Sequence, residues 1–205
     1  MFWEVENVGM TTKYDTFTAE DQVALGKVER TMKYENGRYE VSLPWKENGP
    51  ELPLNNHDMA LRRLEHTEKR LLKNPDVAKS YSECIEQYLK KGYIRKVPKT
   101  EEKPTKSWYL PHFPVVRPDK TTSKVRIVFD GSAQCNGVSL NDAIYQGPKL
   151  QRELFDVLLR FRKYPVALVC DIAEMYLQIQ ITPKDRPYQR FLWRDLNQNK
   201  EPDEY

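Results

Sequence analysis

The sequence predicts an α+β fold. Two consecutive blocks between residues 57 and 91 carry apolar residues at helical spacing. Short alternating runs punctuated by Asn-Gly, Pro and Gly read as antiparallel strands. A continuous apolar run, Val166 to Ile172, reads as a strand buried on both faces.

The elements follow in order. Ala19 to Met32 predicts a helix, with Val23, Leu25, Val28 and Met32 loosely periodic and Thr18 as its N-cap. Asn36-Gly37 predicts a hairpin turn, and Tyr39, Val41 and Leu43 alternate with polar neighbours behind it. Residues 46–56 are a polar linker containing proline. His57 to Lys73 predicts a helix capped by Asn56, with Leu61, Leu64, Leu71 and Leu72 on one face. Asn74 caps the next, which opens with Pro75, where the missing N–H costs nothing, and stops at Gly92. Val77, Tyr81, Cys84, Ile85, Tyr88 and Leu89 form its apolar stripe.

Tyr93 to Val97 reads as a short strand. Trp108–Arg117 and Lys124–Asp130 predict two strands joined by Pro118-Asp119-Lys120, and Pro111 and Pro114 put the first at a sheet edge. In the second, Val125, Ile127 and Phe129 point one way, and Lys124, Arg126, Val128 and Asp130 the other. Residues 131–148 are mostly irregular. Leu150 to Arg162 predicts a helix with Leu150, Leu154, Val157, Leu158 and Phe161 inward. Leu177–Ile181 and Tyr188–Trp193 read as strands. The tail from Asp195 reads as the turn of a hairpin whose return strand is missing.

Composition narrows the function classes. Of 205 residues, 39% are hydrophobic and 31% charged, enough for a folded core with a wet surface. A net charge of +3 is no argument for nucleic acid, but basic residues crowd between Glu51 and Lys106, among acidic ones. Three scattered cysteines and three scattered histidines offer no zinc spacing, and free thiols suit a reducing compartment. No apolar run reaches the roughly 18 residues that span a bilayer. The first residues lack the pattern of a signal peptide. An intracellular protein without a membrane partner is the expectation.

Asp171 ends the apolar run 166–172. Taken alone, it reads first as a turn or helix cap and second as a ligand for Mg²⁺, which prefers carboxylate oxygens. Tyr176 alone reads as a core tyrosine, and Lys124 and Arg126 as cations of a surface strand. Lys124 and Arg126 share a face, as a joint grip on phosphate requires, and a guanidinium bonds phosphate in a planar, bidentate way.

Asp171-Ile172-Ala173-Glu174-Met175-Tyr176-Leu177-Gln178-Ile179 resembles the first palm motif of reverse transcriptases. Lys124 to Asp130 resembles the K-x-R-x-x-x-D fingers strand of the same family. The blocks Tyr39 to Lys46, Leu110 to Val115 and Phe129 to Ala133 occur in family order, in wording similar to the BEL/Pao group of long-terminal-repeat retroelements. The resemblance runs from about Tyr39 to the last residue.

The resemblance implies a right-hand polymerase fold, with fingers and a partial palm built on an antiparallel sheet. Residues 1–50 would be a protease-to-polymerase connecting region with a hairpin, 51–92 a helical pair leading into the fingers, 93–149 the fingers strands, and 150–205 the partial palm. Asp171 would be the catalytic metal ligand, and Ile172 would lend a backbone carbonyl to Mg²⁺. Tyr176 would exclude a 2′-hydroxyl. Lys124 and Arg126 would bind the nucleotide, with Lys120 a weaker candidate and Asp130 orienting Arg126. The partners implied are an RNA or DNA template-primer, dNTP and the remainder of a Pol polyprotein. The setting implied is cytoplasmic, including retroelement particles. The family's Tyr-x-Asp-Asp motif is absent from these 205 residues, and Met175 stands where the family often has alanine. A single aspartate cannot clamp two metals, so the chain alone is expected to be inactive. The alternative is a non-catalytic nucleic-acid-binding remnant or co-opted fragment.

Overall fold

The computed structural model describes residues 17–47, 51–53, 55–102, 104–117, 125–163 and 165–205. The fold is α+β, with small antiparallel strand pairs and several helices. In chain order the elements are α1 (Ala19–Thr31), β1 (Lys33–Glu35), β2 (Arg38–Val41), α2 (His57–Leu71), α3 (Pro75–Lys90), β3 (His112–Val116), β4 (Val125–Phe129), α4 (Leu140–Ala143), α5 (Leu154–Phe161), β5 (Gln180–Ile181), β6 (Leu192–Trp193) and β7 (Asp203–Glu204). They fall into two compact units. One holds the described residues up to Pro44 together with Tyr145–Ile179. The other holds Trp45–Ile144 and Gln180–Tyr205.

In the first unit, α1 opens with a capping box: Asp21 N–H donates to Thr18 Oγ1 at 3.2 Å, and Thr18 N–H to the Asp21 carboxylate at 3.1 Å. Asn36 and Gly37 both have positive φ, 53° and 78°, as a tight two-residue hairpin turn demands. Tyr34 and Tyr39 face each other across that hairpin with ring centroids 4.9 Å apart. Thr31 Oγ1 accepts from Ser42 N–H at 3.2 Å, fastening the end of the helix to the end of the hairpin.

The rest of this unit departs from the sequence expectation. α5 is shorter than Leu150–Arg162, and Leu150, Leu154, Val157, Leu158 and Phe161 are all exposed. Residues 166–172 form no strand, and Leu168 is 90% exposed. An apolar run reports that a segment can be buried, not what buries it. A doubly buried strand needs ladder partners at its edges and a layer on each face, and among the described residues no strand pairs with it. Met175–Gln178 is a 3₁₀ turn, so only Gln180–Ile181 survives of the strand expected over 177–181.

The second unit is built on the β3–β4 hairpin with α2 and α3 packed against it. Its core gathers Leu64 and Leu71 of α2, Tyr81 and Ile85 of α3, Val125 and Ile127 of β4, and Phe191, Leu192 and Trp193. Asp130 N–H donates to Pro111 O at 2.8 Å. Ladder alternation then puts Pro114, which faces Ile127, at a non-hydrogen-bonded pair, where a missing N–H costs nothing. The outward carbonyls of the hairpin meet helix side chains. Thr67 Oγ1 of α2 donates to His112 O at 3.1 Å, and Cys84 Sγ of α3 approaches Val125 O at 3.7 Å. Both edges are thereby blunted.

Three polar anchors tie this unit together. Asn56 precedes α2 without capping it. Its side chain accepts from Tyr109 N–H at 2.6 Å and donates to Tyr109 O at 2.8 Å. Burial explains the change of role, because at 2% exposure the amide must satisfy its own groups, and Tyr109 offers both partners. Asn74, more exposed, caps α3 by accepting from Val77 N–H at 3.3 Å, and Gly92 ends the helix at φ 67°. Buried Glu68 takes a bidentate grip from Arg194, Nε to Oε1 at 2.9 Å and Nη2 to Oε2 at 2.7 Å. His112 Nε2 lies 2.8 Å from Leu192 O, so it must donate there, which leaves Nδ1 to accept from the Tyr81 hydroxyl.

Two further expectations change here. Tyr93–Val97 forms no strand, though Val97 N–H donates to Glu204 O at 2.8 Å. The tail does contain its return strand: β7 pairs with β6, and Phe191 and Tyr205 exchange backbone bonds of 3.1 and 3.0 Å. Tyr188–Trp193 begins as a 3₁₀ turn over Arg186–Gln189 and becomes a strand only at Leu192.

Two predictions follow from these anchors. Glu68→Ala leaves the buried Arg194 guanidinium without its carboxylate, with only the Gln198 and Lys200 carbonyls at 3.4 and 3.3 Å, so the unfolding free energy in urea should fall by about 3–5 kcal/mol. Burial lowers the His112 pKa from 6.5 to about 4. The unfolded chain therefore takes up a proton that the folded chain refuses. Stability is full above pH 6.5 and is lost as pH falls towards 4, by about 3 kcal/mol in all. Urea titrations at pH 7.5 and 4.5 should show that loss, and His112→Gln should lack its share of it.

Candidate functional site

The exposed face of β4 is set by strict alternation. Val125 and Ile127 are buried and Phe129 half-buried, while Arg126 and Val128 are exposed on the opposite side with Asp130 just beyond. Arg126 stands opposite Val115 of β3. The face assignment made from sequence is the observed one for every described residue. Lys124 and Lys120 lie outside the described residues.

Asp130 does not orient Arg126. One carboxylate oxygen accepts from Ser132 N–H at 3.1 Å and from Ser132 Oγ at 2.6 Å. The other lies 3.5 Å from Arg63 Nη2 of α2. Consecutive same-face residues on a strand are about 7 Å apart, so two such steps separate the Cα atoms of Arg126 and Asp130 by roughly 14 Å. The turn after Asp130 is closely packed. A Cβ on Gly131 would sit 2.7 Å from Asn141 Oδ1, and Asn141 N–H donates to Gly131 O at 3.0 Å. Ser139 holds Asn141 in place by starting α4 with a capping box to Asp142. Hydrogen bonds from the Ser139 hydroxyl and backbone N–H keep the Asp142 carboxyl below its ordinary range.

Arg63 escaped the sequence reading because 67 residues separate it from Asp130. The only signal was its membership of the basic region between residues 51 and 106. On α2, Arg63, His66 and Arg70 are exposed, while Ala60, Leu64, Thr67, Glu68 and Leu71 are buried.

Asp171, Ile172 and Tyr176 belong to the first unit. All three are exposed, Ile172 by 65% and Tyr176 by 79%. The Asp171 carboxylate therefore bears no burial penalty, contrary to the expectation of a charge at the end of a buried strand. Between it and Tyr176, Glu174 takes a left-handed conformation, φ 55°, and starts the 3₁₀ turn that carries Tyr176. Arg126 and Asp130 share one face of the other unit.

The acidic residues near the last strand are engaged structurally. Asp203 receives Lys96 and Lys200, each at 2.7 Å, and hydrogen bonds from Lys200 and Lys96 hold its carboxyl below the ordinary range. Glu204 accepts from Arg190 at 2.9 Å and from the Tyr109 hydroxyl at 3.0 Å.

Asp171 is one carboxylate with a neighbouring carbonyl. Among the described residues no group of three or more His, Cys, Asp or Glu side chains is placed to hold a metal ion. The cysteines are free thiols, Cys84 and Cys135 half-buried and Cys170 exposed. Among the described residues no helix is long and apolar enough to cross a membrane. No family model, no curated protein and no solved structure matches the chain.

Asp171 offers a clean stability test. Because it is exposed, Asp171→Ala should change unfolding free energy by less than about 0.5 kcal/mol, measured by urea titration.

Proposed function

We propose that this chain is a portion of an RNA-directed DNA polymerase of a BEL/Pao-type retroelement Pol polyprotein, comprising fingers and the first part of the palm. The carrying observation is the ordered series of sequence blocks ending in Lys124–Asp130 and Asp171–Ile179. The geometry that supports it is the β3–β4 hairpin, which presents Arg126 on a solvent-facing side while its apolar residues enter the core. A guanidinium so placed can take the phosphates of an incoming nucleotide. In the same reading Lys124 adds a second cation, and exposed Tyr176 offers an aromatic face to a sugar.

Asp171 is the one palm carboxylate of this reading in the sequence, and Ile172 supplies the adjoining carbonyl. Nucleotidyl transfer needs carboxylates from a Tyr-x-Asp-Asp segment, which these residues do not contain. The 205 residues alone are accordingly inactive in this reading, with template-primer, dNTP and Mg²⁺ as partners of the complete enzyme. The second reading is a nucleic-acid-binding module without chemistry. It is favoured by the exposed cations Arg62, Arg63, Lys69 and Arg70 of α2.

A primer-extension assay separates the readings. The chain alone should incorporate no dNTP. The chain joined to a palm segment carrying Tyr-x-Asp-Asp should extend primers, and Asp171→Ala in that version should lower the rate by several orders of magnitude. Extension that survives the loss of Asp171 would remove the palm assignment.

A further inference from the structure

We infer that α2 carries a track for one strand of nucleic acid, with Arg63 and Arg70 as its phosphate-binding residues. The inference rests on the nucleic-acid binding that both readings share and adds to it residues that the fingers motif does not contain.

Arg63, His66 and Arg70 are spaced i, i+3 and i+7, which places them in one row along the helix. All three are exposed. The acidic residues of α2 lie elsewhere. At about 100° per residue Asp58 falls about 80° from His66 but about 120° or more from Arg63 and Arg70, Glu65 falls at least about 100° from all three, and Glu68 is buried with Arg194. The row therefore carries two arginines and none of the carboxylates of α2 itself, its one acidic contact being Asp130 beside Arg63. It runs beside Thr67, whose hydroxyl fastens α2 to β3, and Arg63 is held at the β4 end by Asp130. Asp130 is itself fixed by Ser132, so Arg63 starts from a defined position. The 3.5 Å separation of Arg63 from Asp130 is long for a charge-assisted bond, and a phosphate can draw the guanidinium away from it.

From Arg63 to Arg70 the helix rises about 10 Å, the span of a short run of consecutive phosphates. A single straight row follows one backbone, whereas gripping a duplex across a groove takes two. Planar guanidiniums at both ends suit phosphate, and the His66 ring between them offers a face to a base. The occupant is therefore a single strand bound through its backbone, without sequence preference.

The test uses the full chain and a short single-stranded RNA of mixed sequence, with fluorescence anisotropy across a salt series. For the pair Arg63→Gln/Arg70→Gln, the slope of log affinity against log salt should flatten by about 1.4, and affinity should fall about tenfold at low salt. Lys79→Gln, at an exposed position of α3, should leave the slope unchanged. Circular dichroism should match for all the variants, since the altered side chains are exposed. A wild-type slope in the double variant overturns the inference. If Arg126→Gln weakens binding in that case, the polymerase reading stands and only the α2 track falls. If the wild-type chain does not bind RNA at all, the track falls, and primer extension by the completed enzyme judges the polymerase reading separately. Equal competition by polyglutamate would identify an acidic-polymer surface and likewise overturn the assignment to nucleic acid.

Discussion

The second unit is organised by one constraint: the segment Trp108 to His112 is buried, and its backbone polar groups must be satisfied there. Trp108, Tyr109, Leu110 and His112 are all buried. On one side, Leu110 N–H donates to Arg190 O at 2.7 Å and Arg190 N–H to Trp108 O at 3.2 Å. That pairing turns the N–H and C=O of Tyr109 the other way, where Asn56 meets both. His112 then spends its carbonyl on Thr67 and its ring nitrogens on Tyr81 and Leu192. Five partner residues, Asn56, Thr67, Tyr81, Arg190 and Leu192, converge on this short segment. Each unmade bond would cost about 1–3 kcal/mol. Trp108 Nε1 is the one buried side-chain nitrogen or oxygen without a partner among the described residues.

That constraint has consequences for the surface. With the inner face of β4 committed to the core, alternation leaves Arg126 and Val128 outside. Thr67 and Cys84 cover the outward carbonyls of the hairpin ends, so α2 must lie along it. Arg63 comes to Asp130 as a result. The buried Glu68–Arg194 pair reinforces the placement, one helical turn along α2 from Leu64. Such a pair adds little net stability, because desolvation offsets attraction, but breaking it is costly. Its effect is to make alternative placements of α2 unfavourable.

The two candidate regions differ in how they are held. Arg126 and Asp130 sit at a hairpin with a turn behind it in which a Cβ on Gly131 would make the Asn141 side chain shift. Asp171 and Tyr176 sit in an exposed apolar stretch, with Val166, Leu168 and Val169 each at least 75% exposed. A rigid hairpin can hold a guanidinium in a fixed position for phosphate. The segment around Asp171 acquires comparable definition only if another surface covers its apolar residues.

Much of the local structure was legible from sequence because it depends on neighbours in the chain. Thr18, Asn36-Gly37, Asn74-Pro75 and Gly92 act over one to four residues, and each does as its chemistry requires. The alternation of Val125 to Asp130 assigned the exposed face before any partner was known. Burial of the 166–172 run was not legible, because an apolar stretch is equally compatible with a covered and an uncovered position. Nor was the use of Asn56, Glu68 or Asp130: each has a plausible local role, and only a partner 53, 126 or 67 residues away shows which role wins. The sequence alone therefore determined the caps, the turns and the side of the strand on which Arg126 stands. Tertiary structure alone decided which polar groups meet in the core and that Arg63 joins Asp130, since hydrogen bonds and ion pairs across long loops depend on three-dimensional proximity that no local pattern encodes.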